Sequence, residues 1–204
     1  MKLYHCQGAR SLRPLWTLEE LELDFDLEVM PFPPRFLHEG YTNINPIGTV
    51  PYFVDDKLAM TESSGICQYL VERYGPTPLA VTMDEPDYPD FLNWLYRSDA
   101  TLTFPQTIVL RYTQLEPQPE LKKVADDYTK WFFSRLRSVD AQLEQNEYLC
   151  ADRFTIADIC VGYALHLADI ALGLRSHFKP QTEVYYARLM ERPAFQRAVS
   201  HGAS

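Results

Sequence analysis

Apolar and polar positions follow two different periods over the first 75 residues and only one beyond them. Lys2-Leu3-Tyr4-His5 reads as a short strand. After Gly8 the apolar residues Leu12, Leu15, Trp16, Leu18 and Leu21 recur at helical spacing. Ser11 stands where that helix needs an N-cap. Pro14 falls in the first turn, where a missing N–H is tolerated. Phe25 to Met30 predicts a second strand, and Phe32 to Tyr41, with Pro33-Pro34, an irregular loop. Tyr52-Phe53-Val54 and Leu58-Ala59-Met60 flank Asp55-Asp56-Lys57 and predict a hairpin. Ile66, Tyr69 and Leu70 mark a helix opened by Ser63 and stopped by Gly75-Pro76. The order is β-α-β-loop-β-β-α.

Beyond this α/β stretch no strand pattern appears. A polar, proline-rich segment at 77–87 reads as a linker. Phe91, Leu92, Trp94, Leu95 and Leu102 mark a long helix that Pro105 kinks or interrupts. Pro117 and Pro119 separate it from a second helical pattern over Leu121 to Leu143. Thr155-Ile156-Ala157-Asp158 reads as a capping box with Asp in the usual Glu position, and Phe154 and Ile159 sit at the staple positions. The helix that follows is apolar almost all round and is expected at the centre of its domain. Arg192-Pro193 starts a terminal helix anchored by Phe195. The expected organisation is an α/β domain over 1–76, a linker over 77–87 and an all-α domain over 88–204.

Composition narrows the function classes. The chain has 204 residues, of which 46% are hydrophobic, enough for a sizeable core. Its formal net charge of −9 argues against non-specific binding to nucleic acid, which needs a basic face. The Met1-Lys2-Leu3 start has no apolar signal region. The apolar-rich run from Ile156 to Leu174 contains Asp158, His166 and Asp169, so it reads as a buried helix and not a membrane span. Cys6, Cys67, Cys150 and Cys160 have neither CxxC nor zinc spacing, so no metal site is expected. A cytoplasmic protein with reduced thiols is the default expectation.

The chemistry gathers in Asn45-Pro46-Ile47-Gly48-Thr49-Val50-Pro51-Tyr52-Phe53 and Thr61-Glu62-Ser63-Ser64. A proline directly before a short apolar run sits at a strand start, an edge or a turn. X-Pro is also the bond at which the cis form is accessible, and a cis bond there would turn the Val50 backbone outward. Such a backbone can pair with an extended peptide as an added strand does. Ser63 begins a helix whose free N–H groups attract a carboxylate, and Glu62 supplies an adjacent acid. Together these devices suit a small zwitterionic peptide.

N-x-N-P-x-G-x-V-P followed by T-E-S-x-x-I-x-x-Y-L resembles the glutathione-binding half of the glutathione transferase superfamily. F-T-I-A-D-I, about a hundred residues on, resembles the start of that family's buried C-terminal-domain helix. The resemblance implies a thioredoxin-like N-terminal domain and a helical C-terminal domain. It implies that the Val50 backbone pairs with the cysteinyl part of glutathione while Pro51 holds it. Glu62 would take the γ-glutamyl ammonium, Ser63 its carboxylate, and His38 the glycyl carboxylate. Ser11 resembles the serine beside the active site of serine- and cysteine-type transferases and would stabilise the thiolate. Arg10 stands where bacterial beta-type sequences carry a cysteine, so a guanidinium offers charge there instead. Tyr4 and Cys6 are the alternatives. Tyr96, Asp99, Thr103 and Phe104 would face an apolar, electrophilic second substrate held between the domains. A homodimer acting in detoxification is implied by analogy. Glutathione-dependent isomerase, dehalogenase and peroxidase activities remain alternatives; Ser11-x-Arg13 resembles part of a maleylacetoacetate isomerase stretch. So does a non-catalytic binding or regulatory role.

Overall fold

Leu3 and Phe53 face each other across the middle of a four-stranded sheet, and neither is exposed. The structure, a computed structural model, describes residues 1–201. The strands β1 (Lys2–His5), β2 (Asp26–Val29), β3 (Tyr52–Asp55) and β4 (Leu58–Met60) lie in the order β2-β1-β3-β4. β1 and β2 are parallel, which requires a crossover, and α1 (Leu12–Glu20) supplies it. β3 pairs antiparallel with both β1 and β4. The β3–β4 turn puts Asp56 at φ +51, a left-handed conformation that Asp tolerates. This thioredoxin-like sheet with its helices is the arrangement expected from the sequence.

The chain divides into two compact units. The first runs from Met1 to Ala80 and takes up the chain again from Met190; the second is Val81–Leu189. Within the first unit, the stretch read as an irregular loop folds into two single turns, α2 (Pro34–Leu37) and α3 (Tyr41–Ile44). α4 (Ser63–Arg73) ends two residues before Gly75, with Tyr74 as its C-cap. A Cβ at Gly75 would lie 2.6 Å from the Val71 carbonyl oxygen, so the chain can leave the helix so closely only at a glycine.

The terminal helix, α10 (Pro193–Ser200), packs on α1 in the first unit and not with the all-α domain over 88–204 that the sequence pattern predicts for it. The reason lies in α1's outer face. Trp16 meets Phe195 edge-on at 4.8 Å. Glu20 accepts two parallel hydrogen bonds from Arg192, at 2.6 and 2.8 Å, and Glu19 accepts from Arg197 at 2.6 Å. Forked arginine–carboxylate pairs of this kind are among the stronger polar contacts.

The second unit contains only helices among its described residues: α5 (Tyr88–Arg97), α6 (Phe104–Leu110), α7 (Lys122–Leu143), α8 (Ile156–Ile170) and α9 (Pro180–Met190). A wide turn over Ser98–Thr103 joins α5 to α6. Pro105 has no N–H to continue the ladder, and just ahead of it the Phe104 N–H reaches back five residues to the Asp99 carbonyl. No helix among the described residues is long and apolar enough to cross a membrane.

α8 begins with the expected capping box. The Asp158 carboxylate accepts from the Thr155 N–H at 2.8 Å, and the Thr155 hydroxyl accepts from the Ala157 N–H at 3.2 Å. Asp158 also accepts from the Leu149 N–H and the Tyr185 hydroxyl, tying a preceding loop and α9 to the helix start. Burial pushes its carboxyl up to about 6, against the hydrogen bonds that favour the charged form. An acid whose folded pKa lies above its unfolded value contributes most below the unfolded pKa and loses that contribution as pH rises through the folded one. The unfolding free energy of the wild type is therefore expected to fall relative to Asp158→Asn between about pH 4 and pH 6, by up to about 3 kcal/mol, and to run parallel above. Denaturant titrations of both proteins across that range check this; a rise would contradict it.

Candidate functional site

The loop before β3 is built around one carbonyl. The Thr49 oxygen accepts from the Tyr41 hydroxyl at 2.7 Å and from the Asn45 side-chain amide at 2.8 Å. Asn45 is buried, and its own side-chain oxygen accepts from the Ile47 N–H. Burial pushes the Tyr41 phenol up to about 12, so it stays a donor. Gly48 has φ +67, and an added Cβ would lie 2.7 Å from the Arg35 Cβ. Asn45 and Gly48 therefore have structural reasons for their identities. The loop they shape delivers Val50 to a cis peptide bond with Pro51. β3 begins only at Tyr52, and the Val50 N–H and C=O make no hydrogen bond to any described residue.

At the start of α4 the structure shifts the expected cap by one residue. Glu62 is the N-cap, with an exposed side chain that makes no capping bond, and Ser63 is the first helical residue. The first backbone bond of the helix runs from the Ile66 N–H to the Glu62 carbonyl at 2.8 Å. The amides of Ser63, Ser64 and Gly65 are thus the open N–H groups of the first turn. Ser63 is buried, and its Oγ accepts from Arg13 Nη1 at 2.9 Å. Arg13 lies in the first turn of α1 and is fully buried. The starts of α1 and α4 therefore meet at a buried guanidinium.

Ser11 differs from its expected role. It occupies the N-cap position of α1 but caps nothing. Its hydroxyl lies 2.8 Å from His5 Nδ1, accepts from the Cys6 N–H at 3.3 Å, and has no exposure. Burial, with the charge of His201 adding to it, pushes His5 down to about 4, so it is neutral near pH 7. Serine beneath the loop braces β1 against α1; as placed, it offers no hydroxyl at the surface. Arg10, half-buried in the turn before it, is the more accessible of the pair.

The other expected residues separate. Tyr4 is buried in a core with Cys6, Met30, Tyr41 and Val50. Burial pushes the Cys6 thiol up to about 11, which leaves it a poor nucleophile. His38 Nε2 lies 3.3 Å from the Glu28 carboxylate, while its buried Nδ1 has no hydrogen-bond partner among the described residues. In the second unit Tyr96 is exposed and Asp99 half-buried. Thr103 is fully buried, and its hydroxyl donates to the Ser98 carbonyl at 2.7 Å inside the wide turn. That turn directs Thr103 inward, so it does not line a surface. Among the described residues no group of three or more His, Cys, Asp or Glu side chains is placed to hold a metal ion.

The sequence pattern marks none of His5, Arg13 and Asn45 as a site-shaping side chain, although each lies in a strand or motif that it does mark. Asn45 had a signal, because an Asn before Pro bonds its own backbone two residues on. Arg13 had none beyond its spacing from Ser11, since its partner lies 50 residues away.

A family model described as the N-terminal domain of glutathione S-transferases matches residues 3–78. Glutathione S-transferase F10 of Arabidopsis thaliana is 30% identical over 169 residues, covering 78% of this chain and 76% of that protein. Glutathione S-transferase GstA of Escherichia coli O157:H7 is 29% identical over 204 residues, covering 98% of each chain. Among solved structures, a ternary complex of BphK, a bacterial transferase of the same name, superposes with a TM-score of 0.85 at 25% identity over the whole of both chains.

Replacing Asn45 with Ala removes one donor from the Thr49 carbonyl and the acceptor for the Ile47 N–H. It is expected to cost about 1–3 kcal/mol in denaturant unfolding. A loss under about 0.5 kcal/mol would show that the loop does not depend on this side chain.

Proposed function

The chain belongs to the glutathione S-transferase family, and we propose that it binds glutathione on its first unit and adds the ionised thiol to an electrophilic, apolar small molecule. One observation carries this reading: the first turns of α1 and α4 converge on the buried Arg13–Ser63 pair. Two positive helix ends and a guanidinium favour an anionic ligand at that point. The unpaired Val50 backbone before β3 supports an extended peptide along the strand, with Pro51 fixing its course. In this reading Glu62, exposed at the N-cap of α4, takes the γ-glutamyl ammonium. Ser63 and the open amides of the turn take the carboxylate.

The thiolate is assigned to the start of α1, with Arg10 as its charged partner. Ser11 then supports the loop from below through His5 and Cys6. A protonated guanidinium and a helix N-terminus both lower a thiol pKa, so no serine hydroxyl is required. The raised pKa of Cys6 weighs against disulfide exchange with glutathione and in favour of addition by the bound thiolate. Tyr96 and Asp99 remain the proposed contacts for the electrophile. The family resemblance also carries the proposals of a cytoplasmic homodimer acting in detoxification.

The test is the ultraviolet absorbance of the bound glutathione thiolate against pH. The thiol pKa is expected well below the free value of about 8.5. Arg10→Ala is expected to return it by about one unit or more, and Ser11→Ala to change it less. An unshifted pKa in the wild type would contradict the catalytic reading.

A further inference from the structure

We infer that Arg13 is a positioning residue for ligand binding: it fixes the Ser63 hydroxyl as a hydrogen-bond donor to the γ-glutamyl carboxylate, and so sets selectivity for a ligand that has that carboxylate. The inference rests on the glutathione reading above and adds to it a residue and a direction of hydrogen bonding.

The argument starts from donor inventory. A guanidinium has only N–H groups and cannot accept. The 2.9 Å contact between Arg13 Nη1 and Ser63 Oγ therefore makes the serine oxygen the acceptor. A hydroxyl has one proton, and here it is directed away from Arg13. Ser63 Oγ donates it to no described residue. The proton leaves Ser63 at the same turn from which the Ser63, Ser64 and Gly65 amides open. One hydroxyl donor and a fan of backbone donors at a helix start match the two oxygens of a carboxylate.

Burial sets how firmly this is held. Arginine is almost never fully buried without a fixed hydrogen-bonding task. Arg13 has no exposure, and its own carbonyl accepts from the buried Thr17 hydroxyl at 2.9 Å, which stiffens the first turn of α1. α1 packs directly against α4. The contact with Ser63 Oγ therefore determines which way the serine proton points. A lysine would supply charge but not the planar fork that fixes direction.

The test compares calorimetric affinities for glutathione and for 4-aminobutyryl-cysteinylglycine, which keeps the ammonium but lacks the γ-glutamyl carboxylate. The wild type is expected to prefer glutathione by at least about tenfold. Arg13→Met and Ser63→Ala are each expected to reduce that preference to within a few-fold, and the double variant to reduce it no further. A general loss of structure would weaken both ligands alike, so the ratio separates positioning from folding. If Arg13→Met does not fold, Arg13→Lys provides the same comparison and is expected to lose preference in the same direction. Preference retained in the folded Arg13 variant while Ser63→Ala loses it would overturn the inference, as would effects that multiply in the double variant. Wild-type protein that binds both ligands equally would overturn the inference alone. Wild-type protein that binds neither would overturn the glutathione reading as well.

Discussion

A buried contact, Arg13 Nη1 to Ser63 Oγ, joins the first turns of two helices that are 50 residues apart in the chain. Much of the first unit serves to hold that meeting point. The parallel crossover from β1 to β2 lays α1 across the unit, and the β3–β4 hairpin returns the chain to start α4. Helix starts carry partial positive charge, so two of them beside a guanidinium make a favourable place for an anion.

The second constraint is a carbonyl held from two sides. Tyr41 and Asn45 both donate to Thr49, and the strand ladder begins only at Tyr52, beyond Val50 and Pro51. A backbone left unpaired at a strand start is ordinarily a liability, managed by covering or charging the edge. Here it is bounded by Pro51, which cannot extend the ladder itself. The loop thus presents one residue's worth of pairing capacity and no more. A helix start for an anion and a short unpaired backbone are the two fixtures a small peptide with a terminal carboxylate needs.

The sheet, the capping box of α8 and the Asn45–Pro51 loop were legible in the sequence because each is specified by neighbours in the chain. Alternating Leu3 and Tyr4, the hairpin at Asp56 and the Thr155–Asp158 box are local signals with local physics. What the sequence did not reveal depends on contacts across the fold. Ser11 has the residue type and position of an N-cap, yet His5 at the end of β1 and Cys6 just after it capture its hydroxyl. Thr103 looked like a cleft residue on a regular helix, and the wide turn ahead of Pro105 rotates it inward. The terminal helix has an apolar face that any partner could cover, and Trp16 with the acids Glu19 and Glu20 on α1 shows why it lies there. α9 has weak periodicity of its own and is fixed by Thr182 and Tyr185 bonding to the buried Asp140 and Asp158.

The most direct measurement is amide chemical-shift perturbation by NMR during titration with glutathione. A ligand lying along the unpaired backbone and ending on the α4 turn should produce saturable shifts centred on the amides of Val50, Ser63 and Ser64. Unchanged amides at those three positions at saturating glutathione, or shifts confined to other parts of the molecule, would contradict the account.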